Sequence, residues 1–204
     1  ILSKSLSGSD AKIVMSIISQ DTLSHEGIVL GSDGIIMRQK QLHFCQRHKW
    51  STSLSKQLNI IDLDWGRLGI VVGGDSIYPE VFRLLALKDV DAIAVTTKIL
   101  ENWETQFGFI ERSAENRLAV IVASEPSKNK TSMIIAPNKD FTLWTKWERP
   151  FDGSINEPTT TYAENKFGTT ISKINPEASN NRIVTLQTNV VESRPWNLLD
   201  PLIK

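Results

Sequence analysis

The chain has 204 residues and a mass of 22.9 kDa, enough for one substantial core, so residues 1–204 are expected to form a single domain. Its 23 Lys and Arg balance 23 Asp and Glu, which leaves no general field to draw in nucleic acid or anionic lipid. Its longest apolar runs, 68–72 and 119–123, fall far short of a bilayer span, and the single cysteine, Cys45, excludes an internal disulfide and suits a reducing, cytoplasmic setting.

The first third reads as strands joined by tight turns. Residues 12–18 are apolar and β-branched, and 27–30 lead through Ser32-Asp33-Gly34 into Ile35-Ile36-Met37. Asp-Gly between two apolar runs predicts a hairpin. Residues 41–56 are polar, without a clean period, and read as a loop. Residues 58–63 and 68–72 predict a second hairpin around Asp64-Trp65-Gly66-Arg67.

At Gly73-Gly74-Asp75 the pattern changes. Pro79 and Glu80 open a helix over 79–88, since proline in a first turn gives up an N–H that has no partner there and the acid suits the dipole. Residues 90–96 return to strand. Trp103, Phe107, Ile110 and Ala114 then step along one face of a second helix, with Trp103 expected on its buried side. Residues 118–123, 133–136, 141–144 and 183–186 read as four more strands, whereas 148–180 lacks periodicity and reads as a surface excursion. Strands interleaved with two amphipathic helices make the chain α/β, or α+β with two sheets.

Residues 66–82, GRLGIVVGGDSIYPEVF, resemble the segment that carries the nucleophile in amidases of the nitrilase (carbon–nitrogen hydrolase) superfamily. There a buried strand ends in cysteine, and a turn with an aspartate and a Pro-Glu helix start follow. Asp75 and Pro79-Glu80 match the turn and the helix, and Gly73 stands at the cysteine position. Glu111-Arg112-Ser113-Ala114-Glu115-Asn116-Arg117 is similar to the family's arginine-alanine-x-glutamate-asparagine signature. Ser132–Pro137 is similar to a later strand, with Thr131 where glycine is usual. Residues 31–34 followed by Arg38, Lys40 and His43 resemble the hairpin that delivers the family lysine, with Lys40 the best match and the spacing around His43 off by one.

The resemblance implies an α-β-β-α sandwich of two mixed sheets with outer helices. It implies a pocket around Lys40, Gly73, Gly74, Asp75 and Glu115 for a small amide or carboxylate ligand, and a homodimer paired through outer helices. It also places the family's first strands, with the catalytic glutamate, ahead of Ile1, so that the chain is expected to be part of a longer protein. Family chemistry needs a thiolate to attack carbon, a glutamate to move protons and a lysine to stabilise negative charge. Glycine has no side chain to attack with, and Ile77 replaces an arginine often found two residues after the aspartate. The expectation is a non-catalytic binding or regulatory domain. A hydrolase with a relocated nucleophile and a purely structural module are the alternatives.

Plainer readings remain for several residues. Cys45 is read as a small buried apolar side chain before a displaced nucleophile. Glu80 and Glu115 are as readily structural. His25, His43 and His48 have no metal-ligand spacing with one another or with Cys45, so no metal site is expected. No cofactor is implied, and no phosphate loop, dinucleotide fingerprint or serine-hydrolase motif is present.

Overall fold

The computed structural model describes residues 2–125, 131–138, 158–164, 169–184 and 188–198. A short helix, α1 (Leu2–Ser5), precedes an antiparallel sheet of three strands, β1 (Ile13–Ser19), β2 (Ser24–Gly31) and β3 (Gly34–Lys40). The Asp33-Gly34 turn joins β2 to β3, with Gly34 at φ 121°, a conformation that favours glycine. A loop containing a 3-10 turn at Gln46–His48 follows.

The second sheet has six strands in the order β4-β5-β6-β7-β8-β9. These are β4 (Ile60–Leu63), β5 (Gly66–Val72), β6 (Ala92–Thr97), β7 (Ala119–Ser124), β8 (Met133–Ala136) and β9 (Thr159–Tyr162). β5, β6 and β7 run parallel, because helices carry the chain back between them: α2 (Pro79–Leu87), then a π-turn at Glu104–Gly108 continuing into α3 (Phe109–Asn116). A two-stranded ribbon, β10 (Ile183–Val184) with β11 (Thr188–Asn189), lies near the C-terminus. The strand expected at 141–144 lies outside the described residues, as does part of 183–186. β9 arises inside the stretch read as an excursion, where Thr-rich sequence gives no apolar alternation.

Strand parity decides which side chains meet where. Leu68, Ile70 and Val72 of β5 face the small sheet and share a core with Val29, Met37, Ala92, Ala94 and Ala119. Val71 faces the other way, into the larger core built with Val81, Phe82, Leu85, Ile93, Val95, Val120 and Val122 under the helices. Gly27 and Gly69 permit the close approach. A side chain at Gly27 would begin 2.6 Å from an Ile70 methyl, and one at Gly69 2.7 Å from a Leu85 methyl.

The helix expectation at Trp103 needs correction. Trp103 and Phe107 are 37% and 59% exposed, and the buried residues here are Glu104, Thr105, Gly108, Phe109, Ser113 and Asn116. The π-turn inserts an extra residue per turn and shifts the face that meets the sheet. No helix among the described residues is long and apolar enough to cross a membrane.

Candidate functional site

β5 ends at Val72, and Gly73 follows at φ 53° as the first residue of a 3-10 turn over Gly73–Ile77. Its carbonyl accepts hydrogen bonds from Ser76 Oγ at 2.8 Å and Thr97 Oγ1 at 3.0 Å, which fixes the turn against the end of β6. A side-chain carbon placed on Gly73 would stand 2.6 Å from His25 Nδ1 and 2.9 Å from Gln41 Oε1. The same carbon on Gly74 would stand 2.5 Å from Cys45 Sγ. Three side chains from the small sheet and the following loop therefore press on the Gly-Gly turn.

Asp75 is 1% exposed and holds that loop in place. Its carboxylate accepts from the backbone N–H of Leu42 at 2.7 Å and of His43 at 3.0 Å, and contacts His43 Nδ1 at 3.0 Å. Burial raises its pKa, and the two N–H donors and His43 oppose the rise. A second tie lies further along, where buried Glu104 takes a two-pronged hydrogen bond from Arg47 at 3.0 and 3.2 Å. Between these ties the loop delivers Cys45 to Gly74 and His48 to His25, whose ring centroid is 4.6 Å away. Trp50 packs on both rings.

Lys40 is not brought to Gly73. Its ammonium donates to Ser53 Oγ at 3.2 Å, and in register it sits opposite Glu26, which also pairs with Arg38. Parity explains the placement: Met37 and Gln39 face the core, so Lys40 faces out, and the next inward residue is Gln41. Glu115 is also elsewhere, on α3, where it pairs with Arg112 at 2.9 Å and its carbonyl accepts from Arg83. Gly73, Gly74 and Asp75 do come together, joined by His25, Gln41, Cys45 and His48, which sequence reasoning had not assembled.

His25 is 7% exposed. Burial, and then neighbouring His48, push its pKa down to about 4, while a side-chain hydrogen bond with Gln41 opposes the shift. The ring is therefore neutral at pH 7, and His25 Nδ1 and Gln41 Oε1 are buried with each other as the available partner. Burial also lowers the pKa of His48, with Arg47 adding to it.

Beside this cluster, and sharing His25 and His48 as its wall, lies a cleft of about 480 Å³. The ends of β6 and β7 and the middle of β1 form the rest of it, and a Lys98–Glu125 ion pair at 2.8 Å lies among its lining residues. Among the described residues no group of three or more His, Cys, Asp or Glu side chains is placed to hold a metal ion.

Two sheets packed face to face, with helices outside and a strand-to-turn-to-helix passage at residues 66–87, make an α/β sandwich like that of solved nitrilase-superfamily structures. A relative is a nitrilase from Pyrococcus abyssi, 25% identical over 111 residues that make up 54% of this chain and 42% of that protein. Solved structures agree on the fold. The amidase from Nesterenkonia sp. AN1, with acrylamide added at its active-site cysteine, superposes with a TM-score of 0.54 at 14% identity over 62% of this chain and 55% of that one. Saccharomyces cerevisiae Nit3, of branch 10 of the nitrilase superfamily, gives 0.54 at 17% identity over 66% and 55%. The chain thus spans about half the length of the proteins it matches. No family model matches it.

Proposed function

We propose that this domain keeps the nitrilase fold without its hydrolytic chemistry and acts as a binding or regulatory module for a small amide or carboxylate ligand. The observation that carries this reading is Gly73. In this reading it stands at the nucleophile's position, and the space a thiol would need is taken by His25 and Gln41. Without a side chain there, no covalent acyl intermediate forms at that position. His25, His48 and Thr96 line one cleft and make its wall polar, which suits a small polar ligand. Gln41, at the end of β3, takes the inward place expected of Lys40 and offers an uncharged amide in place of a cation. Saturation-transfer NMR with butyramide and butyrate tests the reading. Transfer to either compound, lost in Thr96→Val, supports it, and absence of transfer to both rejects it.

One observation favours a second reading. Cys45, the chain's only thiol, lies against Gly74 in the same turn. A carbon–nitrogen hydrolase that uses Cys45 as a relocated nucleophile would place its thiolate there. Its 8% exposure weighs against a reactive thiolate. We also propose that the exposed Trp103–Phe107 pair, with ring centroids 6.1 Å apart, forms part of a homodimer contact.

A further inference from the structure

We propose that residues 45–51 form an acid-sensitive latch, held on β2 by the contact between His25 and His48 and released when that pair takes up protons. The latch stands apart from the ligand-binding reading and does not depend on it. Three residues of the segment cover His25. Its ring meets that of His48 edge-on at a centroid distance of 4.6 Å, and Trp50 lies 5.4 Å from the first ring and 5.8 Å from the second. The backbone N–H of His25 donates to Oγ of buried Ser51 at 3.0 Å. Contacts that leave the pair out fix both ends of the segment. Asp75 holds the Leu42 and His43 amides before it, and the N–H groups of Thr52 and Ser53 donate to the Leu23 carbonyl at 2.9 and 3.1 Å after it. A stretch fixed at both ends with two imidazoles under its middle is hinged to lift.

Two imidazoles in contact are costly to charge together, because like charges repel and burial removes the water that would screen them. The segment itself adds Arg47 and the exposed Lys49. The ends of β6 and β7 bring Lys98 and Glu125, which pair with each other at 2.8 Å. β1 brings uncharged Val14, Met15 and Ser16, and β3 runs on into the amide of Gln41. On β2, Glu26 faces away from His25 by strand parity and takes hydrogen bonds from Ser24 and Arg38, with Lys40 opposite it in register. Asp75 is engaged by the Leu42 and His43 amides and the His43 ring, and Glu104 by Arg47. The carboxylates nearest the loop are thus already taken up. In the closed form burial and His48 hold His25 down to about 4, and burial and Arg47 lower His48. Rings that are wetted on opening regain their ordinary affinity for protons, so acid below about pH 6.5 favours the open form.

Cys45 rides on the same segment. The His48 N–H donates to the Cys45 carbonyl at 2.9 Å within one 3-10 turn, so the two residues move together. In the closed form Cys45 is 8% exposed and lies against Gly74. Lifting the segment uncovers the chain's only thiol and frees the Gly-Gly turn. The Arg47–Glu104 pair ties the same turn to the π-turn and opposes the lift.

Trapping of Cys45 by 4,4′-dithiodipyridine measures the opening. Rates on the folded protein at pH 7 and pH 5 are divided by those of the chain unfolded in urea at the same pH, which cancels the titration of thiol and reagent. The ratio is expected to rise about tenfold or more from pH 7 to pH 5, the order set by one proton whose pKa goes from about 4 closed to 6.5 open. The rise should shrink in His48→Gln and vanish in His25→Asn combined with His48→Gln. Low urea should leave the pH 5 rate unchanged, because a local opening exposes little surface. Equal ratios at the two pH values overturn the latch. A rise that survives the double variant does so too, since the titration then lies elsewhere, and where the double variant does not fold an undiminished rise in His48→Gln has the same force. A pH 5 rate that climbs with urea in step with global unfolding also overturns it, because the thiol is then exposed by unfolding of the whole domain.

Discussion

His25 Nδ1 stands 2.6 Å from the point where a side chain on Gly73 would begin. The two residues are linked through packing alone, yet this contact determines what the turn can be. Gly73 at φ 53° already disfavours any other residue, and His25 and Gln41 close the remaining space. Gly73→Ala is expected to destabilise the fold by about 2–4 kcal/mol, from the positive φ and the overpacking together. Gly73→Cys should cost at least as much and restore no hydrolysis. Urea unfolding checks both, and part of the loss should return in Gly73→Ala combined with Gln41→Ala. An unchanged midpoint in Gly73→Ala would mean that the turn is looser than described.

Asp75 is expected to act on the loop and not on a ligand. Asp75→Ala strips the acceptors from the Leu42 and His43 amides and should cost about 3 kcal/mol. Amide hydrogen exchange at those two residues should speed up, with β6 and β7 left protected. Exchange unaltered at Leu42 would show that the loop is held elsewhere, with the Arg47–Glu104 pair the next place to look.

Stability should depend on pH through His25. Its pKa is lowered from 6.5 to about 4 in the folded state, so between those values the unfolded chain binds the extra proton. Stability is then full above about pH 6.5 and is lost as pH falls toward 4. The loss is about 2 kcal/mol, less than the full shift because water reaches part of the ring. His48 acts in the same direction, and Asp75, whose pKa burial raises, acts in the opposite direction above its ordinary value. Urea midpoints at pH 7 and pH 5 measure the slope, and His25→Asn should flatten it. A midpoint that does not change between those pH values contradicts a buried, neutral His25.

Association is expected through the helix face that carries Trp103 and Phe107. Phe107→Asp removes an exposed ring that contributes nothing to the core and should convert a dimer to monomer without lowering stability. Light scattering across a wide concentration range checks this. A native chain that stays monomeric throughout counts against the interface.

Much of the fold was legible because its signals are local. Asp33-Gly34 predicts its hairpin, Pro79-Glu80 its helix start, and the unbroken apolar run at 68–72 its buried strand. The site was half legible. The Gly-Gly-Asp turn is visible as a motif, but the residues that close on it come from a non-periodic loop tied down by Asp75 and Glu104, contacts more than 30 residues apart in sequence. Lys40 and Gln41 are neighbours, and only strand parity separates them. Counting inward from Met37 finds Gln39 and Gln41, a signal present in the sequence. Trp103 misled because the π-turn breaks the 3.6-residue count, and nothing local announces it.

The most direct measurement is turnover. The purified protein is incubated with acetamide, butyramide and propionitrile, ammonia release is followed, and intact mass is recorded for a covalent adduct. Ammonia is expected at background level with no acyl-enzyme, since loss of a catalytic nucleophile removes many orders of magnitude in rate. Steady ammonia release abolished by Cys45→Ala, with an acyl mass on the native chain, would contradict it and establish a relocated active site.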